Sequence, residues 1–159
     1  MSRSAPGGLL RELADADATE ALGREIAGGV EPGDVILLEG PLGAGKTTLV
    51  RGLVAQLGGD PGEVASPTFI LMETYDVAAG SLRRVHHADL YRLRGRGAAG
   101  PWDEVGLGEV IDDPAGVTAV EWPEEWPTLG EQGRRVIRVR LEYAGDARVA
   151  TVEAHAAVV

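Results

Sequence analysis

The chain has 159 residues, 44% of them apolar and 25% charged, with a formal net charge of −10. That length fits one domain with a working core, so 1–159 reads as a single unit. The lack of cysteine excludes disulfides and thiolate metal sites, the acid excess argues against gripping a nucleic-acid polyanion directly, and no apolar run is long enough for a membrane span or a signal peptide, so a cytoplasmic protein without a membrane partner is expected.

In chain order, Ala14 to Ala27 reads as an amphipathic helix. Ala18, Ala21, Leu22 and Ile26 fall on one face, Asp17 and Glu20 resemble a capping box, and Gly28-Gly29 end it. Asp34 to Leu38 is an apolar run suited to a strand buried on both faces. A glycine-rich turn follows, and Leu49, Val50, Leu53, Val54 and Leu57 mark a second helix closed by Gly58-Gly59. A polar loop leads into a strand from about Thr68 to Tyr75, a turn at Ala79-Gly80 and a strand from Leu82 to Ala88. Arg94 to Pro101 reads as a loop and Trp102 to Ile111 as a helix; Val117 to Val120 is a second short buried strand. Arg135 to Tyr143 alternates, with Ile137, Val139, Leu141 and Tyr143 on the apolar side, and Ala144-Gly145-Asp146 turns it into a last strand, Arg148 to Ala154. This order predicts an α/β fold of the P-loop nucleotide-binding type: a mainly parallel sheet flanked by helices, with a C-terminal antiparallel hairpin.

Charge is unevenly spread. Arg83, Arg84, Arg92, Arg94 and Arg96 crowd one stretch, and Gly97 to Gly133 holds nine acidic residues and no basic one. Two solvated faces explain this most simply; a charge-steered docking surface for a protein is the sharper reading. Fourteen of the fifteen basic residues are arginine, and Lys46 is the single lysine.

That lysine sits in Gly40-Pro41-Leu42-Gly43-Ala44-Gly45-Lys46-Thr47, which fits G-x-x-x-x-G-K-S/T between a buried strand and a helix. Glycines let main-chain N–H groups converge on phosphate oxygens, and the helix N-terminus adds its dipole. A compact ammonium bridges β- and γ-phosphates where arginine's planar fork would not fit. Thr47 offers a hydroxyl to magnesium, and Thr48 reaches the α-phosphate region. Such a site also needs a carboxylate at the end of a neighbouring buried strand. Glu121 is the best candidate for the metal shell; Asp89, closing Val85 to Ala88, is the other candidate, to orient the attacking water or to join the metal shell. Adjacent His86 and His87 must face opposite sides of their strand, which argues against a shared metal and suggests one packed and one exposed. Ser66-Pro67-Thr68 has hydroxyls beside a rigid residue and suits a switch that senses the γ-phosphate.

Four motifs then agree in order and spacing: the P-loop through Thr48, Ser66-Pro67-Thr68-Phe69, His87-Ala88-Asp89-Leu90-Tyr91-Arg92-Leu93, and Glu121-Trp122-Pro123-Glu124. Together they resemble the TsaE family, formerly called YjeE, over about Thr19 to Tyr143. The resemblance implies a slow ATPase using ATP and Mg2+, partner-dependent, that supports threonylcarbamoyladenosine modification of tRNA beside the TsaD and TsaB proteins and meets tRNA only through that complex. It implies phosphate contacts from Gly43, Ala44, Gly45, Lys46, Thr47 and Thr48, metal binding by Thr47 and Glu121, and a need for Lys46, Asp89 and Glu121 in hydrolysis. Thr19 matches a family threonine near the nucleotide base, and Trp122 a family aromatic of unassigned role. Pro41 stands where the family usually has Asp. Two other readings share the loop: a small-metabolite or nucleoside kinase, with Arg92, Arg94 and Arg96 as a lid, and a nucleotide-switched binding module with negligible catalysis. A GTPase is disfavoured because no Asn-Lys-x-Asp element exists and the single lysine is already in the loop.

Overall fold

Short apolar runs decide the centre of the fold. In the computed structural model, which describes residues 9–65, 72–93, 107–125 and 135–155, the order is β1 (Leu9–Leu13), α1 (Ala16–Ala27), β2 (Val35–Glu39), α2 (Lys46–Gln56), β3 (Met72–Ala79), β4 (Leu82–Asp89), α3 (Leu107–Val110), β5 (Gly116–Glu121), β6 (Val136–Ala144) and β7 (Ala147–His155). The sheet runs β1-β7-β6-β2-β5-β4-β3. Its inner four strands, β6-β2-β5-β4, pair in parallel, and antiparallel partners extend both edges.

Strand β2 shows why the middle must be apolar throughout. Ile36 and Leu38 point into one core with Leu22, Leu49 and Leu53 of the two long helices, whereas Val35 and Leu37 point into a second with Leu107 and Ile111. Both faces are therefore covered, as parallel sheets require. Each fully buried leucine contributes about 1.5–3 kcal/mol over an exposed one. The glycine-rich loop leaves the carboxyl end of β2, which has β6 on one side and β5 on the other. Ligand sites of open α/β sheets lie outside the carboxyl ends of such strands.

Several expectations shift. Helix α1 is capped by Asp15, whose Oδ1 accepts from the Ala18 amide at 2.8 Å, so Asp17 lies in the first turn and is not the cap. The buried face is accordingly Thr19, Leu22, Gly23 and Ala27, and Ala21 is exposed. β3 extends to Ala79, four residues past the expected end at Tyr75, because its hairpin partner β4 pairs with it down to Ala79↔Leu82. β1 was not anticipated; Leu9 to Leu13 adds to the sheet only by pairing with β7. Tyr143 is half exposed, since the end of β6 overshoots the core. The expected loop at Arg94 to Pro101 lies outside the described residues, as does the first half of the helix expected from Trp102 to Ile111, whose second half holds α3.

Two of the charge runs meet inside the fold. Arg84 clasps Asp113 through Nε (2.6 Å) and Nη2 (2.9 Å), and the same carboxylate takes the Ala115 amide (2.9 Å) and His86 Nε2 (2.8 Å). The Arg84 hydrogen bonds foremost, then the Ala115 amide and His86, hold the Asp113 carboxyl well below the usual carboxylate range. A depressed folded-state value makes the stabilisation complete above the unfolded value near 4, and it fades as pH falls below that toward the folded value. Asp113→Asn is thus expected to lower stability by about 2 kcal/mol at neutral pH and to flatten the loss of stability below about pH 4. Urea unfolding across that range checks it; a variant with unchanged acid dependence would refute the assignment.

Candidate functional site

The site grows from the end of β2. Gly40 (φ 150°), Gly43 (φ 77°) and Gly45 (φ 109°) take the left-handed backbone that turns the chain into α2. Side chains are also kept out by space: a Cβ on Gly43 would sit 3.0 Å from the Tyr143 hydroxyl, and one on Gly45 3.1 Å from the Thr19 methyl. Helix α2 starts at Lys46 without a side-chain cap, leaving its first amides available to an anion. This cradle, which added Cβ atoms would crowd, fits a phosphate chain.

Lys46 is buried, with its ammonium donating to the carbonyls of Gly40 (2.5 Å) and Pro41 (3.0 Å) and lying 4.4 Å from the centre of the Trp122 ring. Burial pushes its pKa down, while Glu121, Asp89 and Glu124 pull it back up. Trp122 is the non-glycine residue with positive φ (61°) among those described, a conformation that costs about 1–3 kcal/mol and tends to mark functional sites. That bend, directly after β5, lays the ring beneath the ammonium and against Tyr91 in an edge contact (4.9 Å). The aromatic of unassigned role thereby gains a physical one, as a cation–π platform for Lys46.

The Thr47 hydroxyl donates to Glu121 Oε2 at 2.8 Å. Its hydrogen is thereby directed at the carboxylate, and its lone pairs remain for a divalent cation. Glu121 ends β5 and Asp89 ends β4, and the two are register partners, so both carboxylates come to the same end of adjacent strands. Asp89 Oδ1 accepts the Tyr91 amide at 2.9 Å. Lys46, Thr47, Thr48, Asp89, Glu121 and Trp122 line one open cavity of about 270 Å³ with the loop glycines. A hydroxyl beside two strand-end carboxylates is an all-oxygen set suited to magnesium. A second cavity, of about 130 Å³, shares Gly43, Gly45 and Thr48 and is also lined by Ala44, Thr19, Asp15 and Arg148. Thr19 thus reaches the loop's other side, away from the carboxylates.

Three features escaped the sequence reading. First, both histidines are buried, His86 at 5% and His87 at 0% exposure, where one was expected outside. β4 is an inner strand covered on both faces, so His86 bonds Thr74 and Asp113 on one side, and His87 bonds Tyr75 and Glu121 on the other. Second, the β6–β7 hairpin holds the loop tip: the Tyr143 hydroxyl donates to the Leu42 carbonyl and Arg148, stacked 4.4 Å from the Tyr143 ring, reaches the Gly43 carbonyl at 3.4 Å. Register pairs Tyr143 with Arg148 across the turn, which the hairpin pattern alone could have suggested. Third, the cap at Asp15 places that residue in the second cavity's wall. The suggested switch, Ser66 and Thr68, lies outside the described residues.

Comparison with known proteins identifies the family and supports the fold. A family model described as "Threonylcarbamoyl adenosine biosynthesis protein TsaE" matches residues 13–150. The chain belongs to the TsaE family. It is 44% identical over 121 residues to the tRNA threonylcarbamoyladenosine biosynthesis protein TsaE of Synechocystis, covering 76% of this chain and 73% of the relative. The proteins of the same name from Streptomyces coelicolor and Mycobacterium bovis are 40% and 34% identical, over 79% and 91% of this chain and 80% and 86% of theirs. Among solved structures, Bacillus subtilis YdiB superposes with a TM-score of 0.65 at 29% identity, covering 91% of this chain and 83% of that one. The TsaE family acts in threonylcarbamoyladenosine biosynthesis and has a P-loop-like mixed sheet, here a parallel centre with antiparallel C-terminal strands.

Proposed function

We propose that the protein binds ATP with Mg2+ and hydrolyses it slowly, in support of threonylcarbamoyladenosine modification of tRNA as a partner of TsaD and TsaB. The observation that carries this reading is the convergence of Lys46, Thr47, Asp89 and Glu121 on one cavity, with the Thr47 hydroxyl 2.8 Å from Glu121. Family membership supports the pathway. Loop amides and Lys46 grip the phosphates; Thr47 and Glu121 hold the cation, which supplies charge neutralisation when bound. Asp89 accepts a hydrogen bond from the attacking water and orients it. Thr19, which lines the cavity on the other side of the loop with Gly43, Ala44 and Thr48, supports the nucleotide base, and Thr48 serves the α-phosphate region. The acidic surface favours protein partners over direct contact with tRNA.

Hydrolysis is therefore expected only when water is positioned, whereas binding is not. Asp89→Asn should keep ATP affinity within about threefold and lose about 100-fold or more in turnover, the scale of a general-base contribution. Binding titration and phosphate release, measured alone and with TsaD and TsaB, test this. Absence of any ATP-dependent association with those proteins would defeat the partnership, and equal loss of binding and turnover would defeat the role of Asp89.

A further inference from the structure

Glu121 does not stand alone in the wall of the cavity. Its Oε2, which accepts the Thr47 hydroxyl, also meets His87 Nε2 at 2.6 Å, and neither Glu121 (3%) nor His87 (0%) is exposed. His87 Nδ1 in turn meets the Tyr75 hydroxyl at 3.0 Å, with the two rings tilted at 5.9 Å. A carboxylate can only accept here, so His87 Nε2 carries the hydrogen and Nδ1 accepts from Tyr75. The phenol has one hydrogen, and His87 at 3.0 Å is the nearer acceptor than the Ala65 carbonyl at 3.4 Å. Burial, foremost, raises the Tyr75 pKa and keeps that hydrogen in place.

The covalent frame explains why these residues meet. His87 and Asp89 share a face of β4, and Ala119 and Glu121 share the matching face of the parallel neighbour β5. Tyr75 on β3 pairs with Val85, so its side chain lies on that same face, diagonal to His87. Ala119, directly beside His87, is small enough to let the imidazole lean toward Glu121. A buried imidazole that only filled space would leave two polar nitrogens unpaired; this one satisfies both and directs one at a carboxylate of the site.

We propose that His87, held by Tyr75, is a positioning residue that fixes the Glu121 carboxylate for a divalent cation and so sets the magnesium dependence of nucleotide binding. The inference rests on the ATP reading above and adds to it a relay of Thr47, Glu121, His87 and Tyr75. Partners that orient a ligating group from behind typically change metal affinity by about 10- to 100-fold when removed. Their loss should leave metal-free binding nearly unchanged, because His87 bonds to Glu121 and Tyr75 to His87, and neither lines the cavity that holds Lys46 and the loop glycines.

Binding of a fluorescent ATP analogue, measured in EDTA and along a magnesium titration, tests this, with Mn2+ bound in place of magnesium and read by its electron paramagnetic resonance spectrum. His87→Leu should raise the half-saturating magnesium concentration about tenfold and leave more of the sharp signal of unbound Mn2+ at a given protein concentration, with affinity in EDTA unchanged within about twofold. His87→Gln keeps an N–H toward Glu121 and should recover to within about threefold of wild type. Tyr75→Phe should shift the midpoint by about threefold, and with His87→Gln it decides the matter should His87→Leu not fold. Equal loss of affinity with and without magnesium, or an unmoved midpoint in folded His87→Leu and Tyr75→Phe, would overturn the role of His87. Wild-type protein that binds no analogue under either condition would instead overturn the ATP reading itself, and this inference with it.

Discussion

Lys46→Ala is expected to weaken ATP binding by about 100-fold or more and to abolish turnover while the protein stays folded. The reason lies in what surrounds the ammonium. Glu121, Asp89 and Glu124 all act on it electrostatically, so without Lys46 the cavity presents an acidic wall to a polyanion. Lys46 as a residue is only 5% exposed, and a charge-assisted hydrogen bond from such a group contributes about 1.5–3 kcal/mol. About 2.8 kcal/mol is a hundredfold in affinity. The fold should survive because the groups it leaves, the Gly40 and Pro41 carbonyls, lie on a loop whose Leu42 and Gly43 are open to water. Lys46→Arg should not rescue, since a planar guanidinium cannot sit both on the loop carbonyls and over the Trp122 ring as a point charge does. Calorimetric titration with ATP, beside a thermal melt, checks both halves. Near-wild-type affinity in a folded Lys46→Ala protein would remove the basis of the nucleotide reading.

What could be read from sequence was what local chemistry dictates. The run Val35 to Leu38, the glycines of the loop and the helix from Lys46 follow from contiguous residues, and the structure places strand, turn and helix there. The strand-end positions of Glu121 and Asp89 were legible for the same reason, each carboxylate closing a short local run, and the structure places them there. Features set by distant partners were not. Leu9 to Leu13 is interrupted by Arg11 and Glu12, so it shows neither an apolar run nor a clean alternation, and it becomes β1 only beside β7. The exposure of His86 and His87 depended on whether both faces of β4 are covered, a property of layers and not of the strand. Tyr143 follows the apolar alternation of β6, yet its phenol serves the loop tip, because strand length relative to the core decides where alternation stops mattering. Trp122 could be singled out by resemblance, but its positive φ, and hence its place beneath Lys46, is a matter of backbone geometry.

Gly52→Ala should destabilise the protein by about 3 kcal/mol, against the intuition of helix propensity. In an exposed helix interior that change is favourable by up to about 1 kcal/mol. Here α1 and α2 cross with their backbones touching. A Cβ at Gly52 would lie 1.9 Å from the Glu20 carbonyl oxygen and 2.8 Å from its carbon, and one at Gly23 would lie 2.1 Å from the Leu49 carbonyl oxygen. All of these are main-chain atoms, so no side-chain rotation relieves the clash; the helices must part and the layer around Leu22, Leu49 and Leu53 must loosen. The effect should reach the site. Lys46 and Thr47 form the first turn of α2, and Thr19 on α1 lies against Gly45, so parting the helices misplaces the ammonium relative to the carboxylates on β4 and β5. Urea unfolding should show a lower midpoint at unchanged slope, and ATP affinity should fall about tenfold or more at temperatures where the variant is still folded. A variant as stable as wild type would mean that the helices do not cross in backbone contact, and stability lost with affinity intact would mean that the crossing does not position the loop.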